Sequence, residues 1–323
     1  MATLLNARAR EAERKAFLAD ALRGLRQPEK SLPCKYFYDA EGSKLFDQIC
    51  QLPEYYPTRT ELGILREHAA EMAQCLGPET LLIEYGSGSS VKTRLLLDHL
   101  ERPAAYVPVD VSREHLFETA LALRIDYPDL PVLPLCADFA GSFTLPEPPR
   151  SVARRVVYFP GSTIGNLLEA AAVELMARVA RRVGPGGAFV VGVDLKKDLD
   201  VLERAYDDAQ GVTAAFNLNL LARMNQELGA DFDLRAFEHA AVWNEEAGRI
   251  EMHLVSRIAQ VARVDGEVVR FEAGERICTE HSHKYSVDGF ARLAERAGLA
   301  VRRVWTDPRR YFSVQYLEVP EAD

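Results

Sequence analysis

The chain has 323 residues, enough for one core domain and a second lobe. Hydrophobic residues make up 48% and charged residues 27%, which excludes the disordered and fibrous classes. The net charge is −9 and no basic cluster is interleaved with aromatics, so we expect no nucleic-acid partner. The longest apolar stretches are far shorter than a membrane span and the charged N-terminus lacks a signal-peptide core. We therefore expect no membrane partner and a cytoplasmic location.

The first half of the chain alternates between predicted strands and helices. Residues 7–26 have apolar positions at helical spacing and predict an amphipathic helix. The stretch 31–60 is too irregular for a long helix and too aromatic for a plain linker. Strands and helices then alternate, which favours a parallel sheet covered on both faces. The predicted strands are 81–85, 105–109, 132–135, 155–159 and 188–193, and the predicted helices are 89–100, 112–125 and 168–182.

The alternation stops at about residue 196. Residues 196–286 read as helix up to about 229 and then as strands from 236 to 284, which predicts an inserted lobe. After it, residues 286–298 predict a capped amphipathic helix. Two strands, 300–305 and 311–318, follow and predict a closing hairpin.

A glycine turn follows the first strand of the alternating region. Gly86 and Gly88 lie where strand meets helix, the position at which open α/β sheets bind ligands. A dinucleotide fold would place a third glycine three residues after Gly88, but that residue is Val91, which disfavours a pyrophosphate ligand. S-adenosylmethionine (SAM) contains no phosphate, so the turn is compatible with that donor.

Acidic residues at the next strand ends fit the rest of such a ligand. Asp110 ends the second strand and is suited to accept hydrogen bonds from both ribose hydroxyls. Asp138 follows the third strand and is suited to accept from the adenine amino group, with Phe139 as an aromatic neighbour. Each carboxylate alone is more often a solvated loop acid or a cap. Their placement at successive strand ends favours a SAM site.

Several longer blocks carry a family resemblance. They are residues 35–39 (KYFYD), 52–61 (LPEYYPTRTE), 84–94 (EYGSGSSVKTR), 161–166 (GSTIGN), 205–216 (AYDDAQGVTAAF) and 279–282 (TEHS). With these blocks in this order, the chain resembles the ergothioneine-pathway histidine Nα-methyltransferases along almost its whole length. The resemblance implies an α/β, class I SAM-dependent methyltransferase with a Rossmann-like doubly wound sheet, a closing antiparallel hairpin and a second α+β substrate-binding lobe. The methyltransferase domain would comprise 61–195 and 287–323, and the substrate lobe 1–60 and 196–286.

The resemblance also implies an activity and the residues that perform it. The activity is the successive SAM-dependent methylation of the α-amine of L-histidine to trimethylhistidine (hercynine), the first step of ergothioneine biosynthesis, by a monomer. Tyr38 and Gly161 would orient the amine. Cofactor contacts would come from Gly86, Lys92, Asp110, Asp138 and Phe139, and substrate contacts from Tyr55, Asn166, Tyr206, Met252, Glu280 and Ser282.

The chemistry of the substrate residues is coherent with a free amino acid. Asn166, Tyr55 and Tyr206 offer neutral donors for the carboxylate, without a cation that would repel the sulfonium. Glu280 and Ser282 offer acceptors for the two ring nitrogens of an imidazole. A site shaped to hydrogen-bond the ring rejects analogues without it, since its polar groups would be left unpaired.

Other interpretations remain open at this stage. The protein could methylate another amino acid, be a nicotinamide-dependent oxidoreductase, or bind an amino acid without catalysis. Met252 lies on an apolar face, where core packing competes with a substrate contact. His281 and His283 could suggest a metal pair with His253, but strand alternation directs both away from Glu280 and Ser282, so we predict no metal. The five cysteines are scattered and predict neither disulfides nor zinc. The chain departs from the family pattern at Tyr85, Pro160, His253 and His281.

Overall fold

The computed structural model describes residues 2–88 and 90–321. The chain forms two compact units, each assembled from two separate segments. The first unit comprises residues 1–56 and 197–282, and the second comprises residues 57–196 and 283–323, in each case over the described residues. The predicted lobe boundaries given above stay a prediction. No helix of residues 2–88 and 90–321 has the length and apolarity needed to cross a membrane.

The regular elements follow the chain in an order that alternates, is interrupted, and closes with strands. The α-helices are α1 (Ala2–Leu25), α2 (Ala40–Ile49), α3 (Tyr56–Leu76), α4 (Val91–Leu97), α5 (Arg113–Asp126), α6 (Glu169–Val183), α7 (Leu199–Tyr206), α8 (Val212–Leu228) and α9 (Val287–Arg296). The strands are β1 (Lys30–Ser31), β2 (Thr80–Tyr85), β3 (Ala105–Asp110), β4 (Leu135–Cys136), β5 (Arg154–Phe159), β6 (Ala188–Asp194), β7 (Phe237–Asn244), β8 (Arg249–Ser256), β9 (Gln260–Val264), β10 (Glu267–Phe271), β11 (Arg276–His283), β12 (Ala300–Thr306) and β13 (Phe312–Glu318). Short 3-10 helices cover Cys34–Phe37, Thr163–Asn166 and Leu234–Ala236.

The second unit is built on a seven-stranded sheet of order β12-β13-β6-β5-β2-β3-β4. The strands from β6 to β4 pair in parallel. Strand β13 is antiparallel to both β6 and β12. This is the strand order of class I methyltransferases, and it confirms the predicted doubly wound sheet with its closing antiparallel hairpin.

Apolar strands explain why this sheet carries helices on both faces. Every residue of β2 and β6 is buried, as expected of parallel strands covered on two sides. One face packs against α6 and α9, with Val179 and Phe290 in its core. The other packs against α3, α4 and α5, with Met72, Leu96 and Leu123 in its core. Fully burying one such side chain contributes about 1.5–3 kcal/mol.

The helix and hairpin that close the sheet follow the predicted local chemistry. The Ser286 side chain accepts a hydrogen bond from the Gly289 amide at 3.1 Å and so caps α9. In the turn between β12 and β13, the Asp307 carboxylate accepts from the amides of Tyr311 and Phe312 at 2.7 and 2.9 Å. The predicted capped helix and hairpin are therefore confirmed.

The first unit is a separate α+β assembly, which confirms the class predicted for the second lobe. Its four-stranded sheet has the order β1-β11-β8-β7, with β1 parallel to β11 and β7 antiparallel to β8. Strands β9 and β10 form a hairpin. The Phe37 ring lies against the Phe216 ring of α8, with centroids 4.5 Å apart. The Asp208 carboxylate accepts from the amides of Val212 and Thr213 and caps α8.

Two parts of the fold differ from the predictions. The stretch 31–60 contains α2 and the start of α3, and α3 itself was not predicted. Pro57 lies in the first turn of α3, where its missing N–H has no cost, so proline there marks a helix start. The predicted strand 132–135 is reduced to a bridge at Val132 and the two residues of β4. Pro131 and Pro134 donate no ladder hydrogen bonds, which limits the strand.

Candidate functional site

The glycine turn between β2 and α4 leaves open space above the sheet. Gly86 has φ +71° and Gly88 has φ +45°, a backbone region that favours glycine. At both positions, no heavy atom of the described chain beyond the adjacent residues lies within 4 Å of where a Cβ would be. The Gly86 amide donates to the Val109 carbonyl at 2.8 Å, which ties the turn to β3. A ligand can therefore approach this backbone closely.

Polar groups face the same turn. One Asp110 carboxylate oxygen accepts from the Ser112 amide at 2.9 Å, and the other lies 3.4 Å from the Gly88 amide. The Ser87 hydroxyl is buried and has no hydrogen-bond partner among the described residues. An open glycine turn, a strand-end carboxylate and an unsatisfied hydroxyl together fit a ligand with an amino-acid moiety and a ribose. These residues fit SAM.

The structure places Asp138 and Phe139 just beyond β4. An Asp138 carboxylate oxygen accepts from the Ala140 amide at 2.8 Å. The Phe139 ring stacks on Tyr85, with centroids 5.7 Å apart and an interplanar angle of 11°, and meets Phe159 edge to face. Phe139 thus belongs to an aromatic group at the carboxyl ends of β2 and β5. Tyr85, one of the departures from the family pattern, is buried in the same group.

Lys92 is held by a buried acid that sequence reasoning did not single out. The Lys92 ammonium lies 2.5 Å from the carboxylate of Glu61, whose side chain is fully buried. The Gly161 amide donates to both carboxylate oxygens of Glu61, each at 3.0 Å. Gly192 completes the arrangement, because a Cβ there would lie 2.3 Å from a Glu61 oxygen. Glu61 therefore joins a predicted cofactor residue and a predicted orienting residue within one unit.

A second buried acid lies beneath the glycine turn. Glu84 is buried, and one of its oxygens accepts from the hydroxyls of Thr93 and Tyr106, both at 2.5 Å. Burial raises the pKa of Glu84 to about 8. A largely protonated carboxyl at neutral pH connects β2, β3 and α4, so Glu84 has a structural role in supporting the turn.

Gly161 and Asn166 lie on one short loop after β5. Gly161 has φ +79° and Ser162 φ +58°, and the 3-10 helix Thr163–Asn166 follows. The Ser162 hydroxyl accepts from the Asp194 amide at 2.9 Å. The His283 Nδ1 lies 2.8 Å from the Gly165 carbonyl, which accepts its proton. Together with the hydrogen bonds from the Gly161 amide to Glu61, these contacts fix the loop that carries both predicted residues.

In the first unit, the three predicted tyrosines belong to one aromatic cluster. It runs from Phe216 through Tyr38, Phe46 and Tyr55 to Tyr206, with successive centroids 5.8, 5.5, 6.1 and 6.1 Å apart. Burial raises the pKa of Tyr38 and of Tyr55 well above the ordinary value, and the charge of Glu280 raises both further. Both phenols therefore stay protonated at neutral pH, and Glu280 lies near them.

Of the predicted residues on β11 and β8, Ser282 contacts this cluster, and Met252 lies on β8, the strand next to β11. The Ser282 hydroxyl and the Tyr206 hydroxyl are 2.7 Å apart, so the structure brings these two residues together. Met252 of β8 is buried, and its carbonyl oxygen lies 3.0 Å from the Thr279 hydroxyl oxygen. Tyr38, Tyr55, Tyr206, Glu280 and Ser282 thus form one group of phenols, a carboxylate and a hydroxyl. Phe46 and Phe216 complete it.

Two histidines considered as metal ligands from the sequence, His253 and His281, each lie within hydrogen-bond distance of a neighbouring side chain. His281 lies 3.2 Å from the Cys278 sulfur, and His253 lies 3.2 Å from the Glu251 carboxylate. Burial raises the pKa of the Cys278 thiol to about 12, so this sulfur is not a reactive thiolate. Within residues 2–88 and 90–321, no three acidic, histidine or cysteine side chains cluster so as to hold a metal ion.

The residues that sequence reasoning missed share a feature. Glu61, Phe46 and Phe216 each contact a predicted site residue, and none of the three was itself predicted as a site residue. Glu61 and Phe216 fall inside the matched blocks 52–61 and 205–216, which was the available signal. Phe46 has no such signal, because its contact with Tyr38 depends on how α2 folds back.

Comparison with known proteins identifies relatives over nearly the whole chain. Residues 17–319 match the model of a family described as histidine-specific methyltransferase, SAM-dependent. The histidine N-alpha-methyltransferase of Mycolicibacterium smegmatis is 46% identical over 97% of this chain and 98% of its own length. That of Mycobacterium tuberculosis is 45% identical over 90% of this chain and 91% of its own length. A solved structure, described as a possible exported protein from Bordetella parapertussis, is similar in fold, with a TM-score of 0.50, 13% identity and 98% of each chain covered.

Proposed function

Because the chain belongs to the family of SAM-dependent, histidine-specific methyltransferases, we propose that it converts L-histidine to Nα,Nα,Nα-trimethylhistidine (hercynine) by successive methylation of the α-amine. This reaction is the first step of ergothioneine biosynthesis. The observation that carries the substrate assignment is the group in the first unit that combines three phenols with Glu280 and the Ser282 hydroxyl.

Each part of a free amino acid has a matching group. Tyr55, Tyr206 and Asn166 are the proposed donors to the carboxylate, and all three are uncharged. The Ser282 hydroxyl and the Glu280 carboxylate are the proposed partners of the two imidazole nitrogens. Met252 is proposed to contact the ring, since its side chain is buried on the neighbouring strand β8.

The donor side of the reaction is proposed for the second unit. SAM supplies a methyl group on a sulfonium. Gly86, Asp110 and Asp138 would bind its polar parts, and Phe139 would lie against the adenine. Lys92 is also proposed to contact SAM, and its positive charge is paired with the carboxylate of Glu61.

The chemical step is a direct displacement. The amine lone pair of histidine forms the new C–N bond as the S–CH₃ bond breaks, and the bonding pair stays on sulfur. The ammonium so formed loses its proton to water before the next transfer. Tyr38 is not a phenolate base, because burial raises its pKa well above the ordinary value. Tyr38 and the Gly161 carbonyl are therefore proposed to orient the neutral amine, and alignment rather than base strength supplies the rate.

The product carries a permanent positive charge, and the aromatic cluster suits it. Phe46 lies beside the rings of Tyr38, Tyr55 and Phe216, with centroids 5.5, 6.1 and 5.9 Å away. Aromatic faces attract quaternary ammonium groups by about 0.5–2 kcal/mol each. The same residues can therefore hold the amine while it changes from a neutral group to a cation.

The test is direct. Purified protein is incubated with labelled SAM and histidine, and the amino acid is analysed by mass spectrometry for one, two and three added methyl groups. Tryptophan and tyrosine serve as competing substrates. Transfer to either of these with none to histidine would refute the substrate assignment. Calorimetry tests the other protein classes. A protein that binds NAD but does not bind S-adenosylhomocysteine would be an oxidoreductase. A protein that binds histidine but transfers no methyl group would be a non-catalytic binding protein. A monomeric state and a cytoplasmic location stay predictions, and light scattering tests the first.

A further inference from the structure

A buried asparagine, Asn217, and a partly buried histidine, His239, form a polar pair that is hydrogen-bonded to elements of the proposed imidazole site. We propose that Asn217 and His239 are positioning residues that fix the proposed histidine contacts Tyr206, Met252 and Ser282, and so set the affinity for the imidazole amino acid. The inference rests on the proposed function. Neither residue was singled out from the sequence, and neither is assigned a contact with the substrate.

Asn217 is at the centre of the network. This α8 side chain is fully buried. Its amide nitrogen lies 3.0 Å from the His253 carbonyl and 2.8 Å from the His239 Nδ1. Its amide oxygen accepts from the Thr279 hydroxyl at 2.8 Å. One side chain thus connects α8 with β7, β8 and β11.

The contacts permit one orientation of the amide and one tautomer of the imidazole. The His253 carbonyl can only accept, so the NH₂ group of Asn217 must face it. The same NH₂ group then donates to the His239 Nδ1, which must be unprotonated. The His239 Nε2 therefore carries the proton and donates to the Tyr206 carbonyl at 2.8 Å. Burial lowers the pKa of His239, which favours this neutral form.

Each end of the network meets a proposed substrate residue. His239 fixes the backbone of Tyr206, whose hydroxyl lies 2.7 Å from the Ser282 hydroxyl. Thr279 lies one residue before Glu280 on β11, and its hydroxyl lies 2.8 Å from the Asn217 oxygen and 3.0 Å from the Met252 carbonyl. A network that ended in the core would contribute stability alone. This one ends at α7, β8 and β11, the elements that carry the residues proposed to bind histidine.

The experiment changes one hydroxyl at a time. Thr279→Val removes the hydroxyl with little change in volume, and Thr279→Ser keeps it. Ser256→Ala is the matched control, because this β8 hydroxyl is also buried and donates to the Ile258 carbonyl at 2.8 Å but contacts no proposed site residue. Calorimetry measures the Kd for histidine and, separately, for S-adenosylhomocysteine, and thermal unfolding measures the Tm.

Thr279→Val leaves the buried side-chain oxygen of Asn217 without its hydrogen bond from residue 279. Because Asn217 is proposed to position the histidine contacts, the Kd for histidine is expected to rise by about ten-fold, the effect of leaving one buried polar group unsatisfied. The Kd for S-adenosylhomocysteine is expected to stay within about two-fold, since its proposed site lies in the other unit. Thr279→Ser is expected to restore histidine binding, and Ser256→Ala is expected to lower the Tm without changing the histidine Kd. At saturating histidine, kcat of the valine variant is expected to stay near that of the wild type, so the loss appears in KM.

Two results would overturn the inference. One is a folded Thr279→Val protein that binds histidine as the wild type does. The other is an equal loss of affinity for both ligands, which indicates general destabilisation. If the valine variant does not fold, His239→Gln and His239→Phe give the same decision, since glutamine keeps a donor for the Tyr206 carbonyl and phenylalanine does not. Wild-type protein that fails to bind histidine would instead refute the proposed function.

Discussion

The ion pair between Glu61 and Lys92 allows a quantitative prediction for the stability of the second unit. The Glu61 side chain is fully buried, the Lys92 side chain is 20% exposed, and the charged atoms are 2.5 Å apart. Removing one partner of a buried pair leaves an uncompensated charge and costs about 3–5 kcal/mol. For a unit of this size, 1 kcal/mol shifts the Tm by about 2–4 °C. Glu61→Gln is therefore expected to lower the Tm by about 6–20 °C.

The assay is urea unfolding followed by tryptophan fluorescence. The chain has two tryptophans. Trp305 is buried in the second unit, and its indole N–H donates to Glu71 at 2.9 Å. A Trp243→Phe background therefore lets Trp305 alone report on this unit. Glu61→Gln, Lys92→Met and the double variant are compared in that background, with the free energy of unfolding measured for each.

The double variant decides whether the two side chains act as a pair. With both charges removed, no buried charge is left unpaired, so the double variant is expected to lose about 2–3 kcal/mol less than the sum of the single losses. The Glu61→Gln change keeps a side-chain oxygen that can still accept from the Gly161 amide, so it removes the charge and leaves that hydrogen bond possible. Losses that add to within about 0.5 kcal/mol would refute the coupling.

Three further predictions use other sites. Glu280→Ala is expected to weaken histidine binding by about 2–3 kcal/mol, or about 30- to 150-fold, without changing S-adenosylhomocysteine binding; calorimetry checks this, and unchanged histidine affinity would remove Glu280 from the site. Burial raises the pKa of Glu84 from 4.5 to about 8, so the folded state holds this proton more tightly than the unfolded state and loses that advantage as pH rises. The unfolding free energy of the wild type relative to Glu84→Gln is expected to fall between about pH 4.5 and pH 8, and a difference that stays constant with pH would contradict it. Gly192→Ala puts a Cβ 2.3 Å from Glu61 and is expected to destabilise the protein by about 1–3 kcal/mol in urea unfolding, whereas a neutral effect would show that Glu61 moves freely.

Local patterns predicted the sheet of the second unit because its strands are buried on both faces. An uninterrupted apolar run bounded by turns, as in β2 and β6, leaves few alternatives. The sequence pattern failed to predict α3 and the length of the third strand, because a proline can either begin a helix or interrupt a strand. Pro57 begins a helix, whereas Pro131 and Pro134 shorten a strand, and the sequence alone does not distinguish these outcomes.

The candidate site was predictable residue by residue but not as a set of contacts. The glycine turn and Asp110 could be placed from strand ends, because parallel strands end at one edge of a sheet. The resemblance supplied Tyr206 and Ser282, which the structure places in contact. The contacts of Glu61 and Asn217 could not be predicted, because the partners of each residue lie far along the chain and no local spacing indicates them.

The position of β13 in the sheet determines when the strand pairing of β6 can be completed during synthesis on the ribosome. β13 lies between β6 and β12, so the backbone edge of β6 has no neighbour on that side until residues 312–318 emerge. β1 likewise cannot pair until its parallel partner β11 has been synthesised, because Lys30 pairs with Ile277. A nascent chain with such distant pairings exposes the apolar edge of β6 from the completion of Asp194 until Phe312 has emerged, and we expect it to depend on chaperones during that interval.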